Sequence, residues 1–290
     1  MLSGITVQVP AKVNLGLNVL PKRADGYHNI ESIFQTINLC DTITVLLDEK
    51  QNSCCIACEE LDLPLNNTIS STYKAFCQLT GCTAGVKVNL TKRIPSGGGL
   101  GGGSADAAYF LKALAYLTGV KLTDSLADGV ASQVGSDVFF FLHSGESEGK
   151  TGSAIVTGRG EFVKPIRPRN DLFFVLVFPG VHSSTKEAYE LVDKAYSNNQ
   201  KVICPKISEL EAVYNRPVKE WTFANTFTSV LVQKYTVIGD ALEDIRKSGA
   251  LWSDMSGSGA TVFGVYESEQ SAKKACEQLH KSWSHCVLVT

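Results

Sequence analysis

Pro95-Ser96-Gly97-Gly98-Gly99-Leu100-Gly101-Gly102-Gly103-Ser104-Ala105 puts six glycines into seven consecutive positions, Gly97 to Gly103. Upstream, Val86, Val88 and Leu90 alternate as a strand does. Downstream, Ala105 to Leu117 is an alanine-rich run with helical character. A strand, a glycine loop and a helix N-terminus in that order make an anion cradle. Backbone N–H groups without side chains can wrap a phosphate, and the helix dipole adds roughly half a positive charge at that end. Six glycines also carry a large conformational entropy into the unfolded state, which a plain connection gives no reason to lose. The stretch reads as a phosphate-binding loop.

Two other nucleotide-site patterns fail on spacing. Gly97-x-Gly99-x-x-Gly102 fits the dinucleotide fingerprint, as any glycine run does. The acidic residue that the Rossmann version places about 20 residues on has no counterpart closing a strand, because Leu122, Thr123 and Asp124 open another helical stretch. Gly145-Glu146-Ser147-Glu148-Gly149-Lys150-Thr151 has three residues between its glycines where a Walker loop needs four, and Ser144 stands where the first glycine belongs. It reads as a polar turn.

With 290 residues, the chain can build two domains with substantial cores. Its 44% hydrophobic and 19% charged content suits a soluble globular protein. A net charge of −2 with scattered basic residues favours neither nucleic acid nor an anionic membrane as partner. No apolar stretch approaches the ~18 residues of a membrane span. Ile5, Val7 and Val9 already alternate as a strand, leaving no room for a signal or transit peptide, so the expected location is the cytoplasm. Nine cysteines include one Cys-x-x-Cys, Cys55 to Cys58. No His is read at a zinc-ligand spacing from any of them, and an odd count without a secretory signal argues for free structural thiols.

Period-two apolarity predicts strands over Ile5 to Val9, Val13 to Val19 and Thr42 to Leu47, with Pro10 and Pro21 to Gly26 as punctuation. Asn67 caps a helix closed by Gly81, and Thr123 caps another that Gly135 stops. Val138-Phe139-Phe140-Phe141-Leu142 is a buried apolar run, read as a strand, with Asp137 at a helix-to-strand corner. The polar stretch from Ser144 to Gly160 predicts a hinge to a second domain. That half carries a strand over Leu172 to Phe178, helices over Lys186 to Tyr196, Ile207 to Tyr214 and Ser229 to Lys247, and a strand over Val262 to Tyr266. Without regular βαβ alternation, the class is α+β with two lobes.

Three further segments carry chemistry. In Pro10-Ala11-Lys12-Val13-Asn14-Leu15, Lys12 and Asn14 share one strand face and Val13 and Leu15 the other. Asp137 precedes a run of aromatics; deeply placed, its carboxylate needs a cation, and Lys12 is the candidate. Met255-Ser256-Gly257-Ser258-Gly259-Ala260-Thr261 is a second Gly/Ser turn before a strand. Two phosphate-friendly loops with a Lys and an Asp meet the needs of phosphoryl transfer.

These segments, Pro10 to Leu15, Pro95 to Ala105 and Met255 to Thr261, resemble the three signature motifs of the GHMP small-molecule kinases, in order and at the expected separations. A fourth block, Arg23-Ala24-Asp25-Gly26-Tyr27-His28-Asn29-Ile30-Glu31-Ser32-Ile33-Phe34-Gln35 with Asp41-Thr42-Ile43 after it, resembles one branch only. Members of that branch phosphorylate the 2-hydroxyl of a cytidine-diphosphate-linked methylerythritol in non-mevalonate isoprenoid synthesis. Three departures stand out. The family's Val-Pro after the catalytic Asp is Val138-Phe139 here; Ser96 and Gly98 replace a common Met or Ala; the usual Asn-Asp is Asn225-Thr226.

The resemblance implies a left-handed βαβ N-terminal lobe carrying ATP, like the second domain of ribosomal protein S5, over residues 1–155. It implies a ferredoxin-like, substrate-binding C-terminal lobe over 156–290. Asp137 matches the catalytic base and Lys12 its partner, with Asn14 near the same hydroxyl. Tyr27 and His28 match residues that hold cytosine, Tyr189 supplies the aromatic for its other face, and Thr185 contacts the substrate. Pro95, Ser96, Gly97, Gly98, Gly99, Leu100, Gly101, Gly102, Gly103, Ser104 and Ala105 wrap the ATP phosphates, with Ser104 near Mg²⁺. Asn67 and Lys92 fall at the adenine end, and Gly257 and Gly259 shape the loop beside the transferred phosphate. The expected ligands are ATP, Mg²⁺ and one small-molecule substrate, bound by a monomer or weak homodimer. Mevalonate-type and homoserine kinases share the glycine loop but have no reason to keep Gly26-Tyr27-His28. A non-catalytic relative would have lost Lys12 or Asp137.

Overall fold

The structure, a computed structural model, describes residues 3–48, 50–145 and 152–290. Two long strands, β1 (Gly4–Val19) and β2 (Ile30–Asp48), form its antiparallel spine. β1 does not break at Pro10. Proline lacks an N–H donor, so a ladder tolerates it at a bulge, and the register slips between Pro10 and Ala11 and again between Leu15 and Leu17. The first half of β2 is missing from the sequence reading because Ser32, Gln35 and Thr36 are polar yet fully buried, which erases the alternation.

β2 pairs on one side with β4 (Gly85–Thr91), whose other neighbour is β3 (Cys54–Ala57), parallel and reached through α1 (Thr68–Thr80). Along the same edge of β2, opposite β1, Ile30 to Gln35 pairs with β5 (Ser153–Gly158), and β5 with β6 (Phe162–Pro165). These six strands are one sheet, packed with α1, α2 (Gly102–Thr118), α3 (Asp124–Val134) and α4 (Ser136–His143). The division drawn at 155/156 falls inside β5 of this sheet, and sheet membership changes only after Pro165. Residues 146–151, about a third of the expected hinge and most of the Walker-like turn, lie outside the described residues; Ser153–Gly158 of that hinge is strand β5 of the first sheet.

The second sheet has the order β10-β7-β9-β8, all antiparallel, from β7 (Phe173–Val177), β8 (Trp252–Met255), β9 (Val262–Tyr266) and β10 (Cys286–Val289). With α5 (Thr185–Ser197), α6 (Leu210–Tyr214), α7 (Thr226–Lys234) and α8 (Thr236–Lys247) between β7 and β8, and α9 (Glu269–Leu279) between β9 and β10, it forms a ferredoxin-like lobe. The helix expected over Ser229 to Lys247 is two. It starts earlier, at Thr226, because the Asn225 side chain accepts from Phe227 N, and it breaks at Tyr235.

Val138 to Leu142 is corrected as well: these residues are the body of helix α4. A five-residue apolar run carries no period, and only packing decides its form. Here Val138, Phe140 and Phe141 are buried. Asp137 therefore sits in the first turn of a helix rather than at the start of a strand.

Both faces of β1 are used. Ala11, Val13 and Leu15 join a core cluster with Phe174, Leu176, Tyr214 and Phe263 of the second lobe, while Lys12 and Asn14 face away from it. Among the described residues no helix is long and apolar enough to cross a membrane.

Candidate active site

The glycine loop leads into α2 at Gly101, which has φ +72° and caps the helix without a side-chain hydrogen bond. The first-turn N–H groups of α2 are thus left for an external acceptor. Gly97 and Gly99 also have positive φ, +72° and +77°. At Gly99 a Cβ would lie 2.0 Å from Ser256 O, so only glycine lets this loop touch the 256–261 turn. Gly257 mirrors it, with a would-be Cβ 3.1 Å from Gly99 O. Ser256 Oγ donates to Gly99 O at 2.9 Å and Thr261 N donates to Gly98 O at 3.3 Å. The two glycine turns, far apart in the chain, brace one another across the lobes.

Lys12 lies beneath that junction, 2% exposed. Its Nζ donates to Asn14 Oδ1 at 2.7 Å and to Gly99 O at 3.0 Å, and stands 3.4 Å from Asp137 Oδ2. Three acceptors match the three protons of an ammonium group, and the Phe34 ring closes the remaining side at 4.7 Å. Asn14 is held in turn: its Nδ2 donates to Ser32 Oγ at 3.3 Å. Asp137 keeps a third of its side chain exposed, at the N-terminus of α4, where the helix dipole favours a carboxylate. A buried, fully saturated cation beside a solvent-facing carboxylate is an arrangement able to hold that carboxylate in one orientation.

Lys12, Asn14, Asp137, Gly97, Gly99 and Gly101 line one cleft of 870 Å³. Its walls also carry Tyr27, His28, Thr185, Tyr189, Gly257 and Gly259, so residues from both lobes meet there as expected. Tyr27 is 55% exposed and its ring lies 4.6 Å from the Arg159 guanidinium. His28 is buried, and both its ring nitrogens are engaged: Nδ1 donates to Leu20 O at 2.9 Å and Nε2 faces Asp193 Oδ1 at 3.3 Å. Its imidazole stacks on Tyr189 at 4.9 Å, and Phe227 meets Tyr189 edge-on. The imidazole of His28 is therefore a wall of the pocket, and its backbone is left to address a ligand.

The chain matches the GHMP kinases N terminal domain over residues 67–145 and the GHMP kinases C terminal domain over 211–285. It is 37% identical to the 4-diphosphocytidyl-2-C-methyl-D-erythritol kinase of Treponema pallidum (strain Nichols), over 99% of both chains. The enzyme of the same name from Thermotoga maritima is 39% identical over 88% of this chain and 90% of its own. The chain belongs to the GHMP kinases, in the 4-diphosphocytidyl-2-C-methyl-D-erythritol kinase branch. A crystal structure of 4-(cytidine 5'-diphospho)-2C-methyl-D-erythritol kinase superposes with a TM-score of 0.77 at 29% identity, covering 98% of each chain. The protein is a phosphotransferase.

Some residues expected in this kinase's site stand elsewhere. Asn67 caps α1: its Oδ1 accepts from Ser70 N at 2.9 Å and its Nδ2 donates to Pro64 O. Lys92 is buried between Asp41 and Asp106, 2.8 Å from the latter. Neither side chain is among the residues that line the cleft; Lys92 braces the entry of the glycine loop, for a Cβ on Gly102 would come within 3.4 Å of Lys92 Nζ. Burial pushes Asp106 up to about 6 against the pull of Lys92. For Lys92 itself, burial acts downward, yet the two carboxylates outweigh it and hold the ammonium above its usual range. Ser104 is half-buried in the first turn of α2, facing Gly135, where a Cβ would be 3.9 Å from its Oγ.

Residues that the sequence reading missed include Asp193, Arg159 and Ser256. Asp193 follows Tyr189 by four on α5, and that same-face spacing was a usable signal. Ser256 lies inside a quoted motif. Arg159 follows β5 in an unremarkable turn, and nothing local marks it.

Proposed function

We propose that this kinase transfers the γ-phosphoryl group of ATP to the 2-hydroxyl of 4-diphosphocytidyl-2-C-methyl-D-erythritol, in the cytoplasm, as a monomer or weak homodimer. The observation that carries the reading is the Lys12–Asp137 pair at the meeting point of two glycine turns, in a cleft that also holds the Tyr27-His28-Tyr189 aromatic wall. In the proposed step the hydroxyl oxygen attacks the γ-phosphorus while its proton passes to Asp137, and the β–γ bridging oxygen leaves with ADP. Lys12 keeps that carboxylate aimed. The α2 N-terminus and the loop N–H groups would hold the phosphates.

Cytosine would lie against Tyr27 and Tyr189, with its edge toward the His28 backbone. Lys22, Arg159, His182 and Lys186 also line the cleft, and cationic walls suit a substrate and a nucleotide that both carry phosphates. Asn14 and Thr185 would contact the methylerythritol hydroxyls, and Gly257 and Gly259 let the backbone approach them. A hydroxyl from Ser104 suits Mg²⁺, which takes oxygen donors, few of them from protein, and would neutralise phosphate charge.

ADP release measured with Mg-ATP and, in parallel, the cytidylylated substrate, mevalonate and homoserine tests the reading. Turnover with the first alone is expected. Turnover with mevalonate or homoserine alone would keep the chemistry of Lys12 and Asp137 and reject the cytosine pocket, and silence with all three would reject the kinase reading.

A further inference from the structure

At the far edge of the second sheet, three ligand-bearing side chains converge outside the cleft. Cys276 lies on α9, His280 caps the same helix four residues on, and Cys286 opens β10. The i, i+4 spacing puts Cys276 and His280 on one helix face. One ligand atom from each of the three lies within 4.8 Å of the others, and the two sulfurs are 3.4 Å apart. The sequence reading, which found no His at metal-ligand spacing, overlooked this Cys-x-x-x-His pair.

The turn that delivers Cys286 is fixed independently. Ser282 N and Trp283 N donate to Leu279 O at 3.0 and 2.8 Å, and Trp283 Nε1 donates to Asp244 on α8. The strand then pairs, Cys286 with Val177 of β7. The backbone and packing thus set Cys286 against α9, where Cys276 and His280 share a face.

We propose that Cys276, His280 and Cys286 form a binding site for a thiophilic d¹⁰ cation, Zn²⁺ by donor preference. Two thiolates and an imidazole are a soft set that disfavours Mg²⁺ and Ca²⁺, which require oxygen. With Zn–S of about 2.3 Å, a tetrahedral site has sulfurs about 3.8 Å apart, a few tenths of an ångström from the separation here. A disulfide would need the sulfurs to close to about 2.05 Å and would leave His280 unused. Burial grades outward, Cys286 buried, Cys276 half-buried and His280 exposed, which gives an entry path and a fourth position open to water. Bound there, the ion ties α9 to the edge strand β10, whose neighbour β7 runs on into the 178–185 loop; Phe178 N donates to His285 O at 3.2 Å.

Co²⁺ titration of the reduced full-length protein tests this site, followed by Zn²⁺ competition and thermal unfolding with and without Zn²⁺. The expected result is one equivalent of Co²⁺ with thiolate charge-transfer and tetrahedral d–d absorption, displaced by Zn²⁺, and a higher Tm with Zn²⁺ present. C276S and C286S should each abolish the charge-transfer band. H280A, an exposed change that should leave folding intact, should weaken Zn²⁺ at least about tenfold, since losing even a second-shell partner costs that much. A Cys55→Ser/Cys58→Ser double variant should bind as the parent does. No charge-transfer band at stoichiometric Co²⁺ would overturn the proposal. So would a band lost in the Cys55/Cys58 variant but kept in H280A and C286S, or titration of the pair as a disulfide by an added disulfide oxidant with metal binding absent.

Discussion

Lys12 and Asp137 are 125 positions apart, and each has a distinct electrostatic job. Lys12 directs its ammonium to Asn14, Gly99 and Asp137, and in the proposed step it orients the Asp137 carboxylate. Asp137→Asn should therefore lower kcat by about 10²–10⁴-fold with ATP affinity nearly unchanged, read by single-turnover kinetics and equilibrium ATP binding. An Asp137→Asn enzyme with parental kcat would remove the base assignment. His28 gives a second residue-scale test, because Asp193 also pairs with Lys22 and so anchors the imidazole from a neighbouring helix. Asp193→Asn should raise KM for the cytidylylated substrate about 5- to 30-fold, the loss of one charge-assisted bond, while kcat and the KM for ATP stay put. A fall in kcat at constant KM would place Asp193 in the chemistry instead.

At the scale of elements, the decisive contact is loop on loop. Positive φ at Gly99 and the 2.0 Å approach of its would-be Cβ to Ser256 O leave alanine no room without moving one glycine turn off the other. Gly99→Ala should cost about 1–3 kcal/mol of stability, measured by urea unfolding, and should cut kcat/KM more steeply than that. A fully active, equally stable Gly99→Ala protein would mean that the brace between the turns is incidental. Asn225 carries the same junction from below: its Nδ2 donates to Met255 O and Gly257 O at 2.8 Å each, and its Oδ1 caps α7. The departure at Thr226 is accommodated there, since its hydroxyl accepts from Val19 N at 3.1 Å.

Across the whole molecule, the buried charges set how stability responds to pH. Asp254, buried under that junction, accepts from Thr228, Met255 N and Asn225 N, yet burial dominates and pushes its carboxyl up to about 6 from 3.8. The folded state then binds more protons than the unfolded one between those values. Its contribution to stability is lost as pH rises from about 4 through 6, on the order of 3 kcal/mol in full. Urea unfolding across that window should show this fall in the parent and a flatter profile in Asp254→Asn. Identical profiles would put the dependence elsewhere. The lobes themselves are locked by Tyr214 of α6, whose hydroxyl donates to Gln35 Oε1 of β2 at 2.6 Å and accepts from Arg169 N at 2.8 Å.

What the sequence determined by itself is what depends on short spacing. The 97–103 glycines imply a cradle, Lys12 and Asn14 two apart imply a shared face, and the Asn67 and Thr123 caps imply helix starts, because backbone geometry alone links such neighbours. The motifs also placed Tyr27, His28 and Asp137 in one site by resemblance. Tertiary structure decided what no local period encodes. It made Val138 to Leu142 a helix, by burying that run among other helices. It continued β1 through Pro10, because β2 could absorb a bulge. It made Asn67 a helix cap and Lys92 one half of a buried ion pair, because a polar side chain takes whichever partner the fold brings within hydrogen-bond reach. It also brought Asp193 to His28 and Cys286 to Cys276, contacts set by how helices lie on a sheet and not by the residues beside them in the chain.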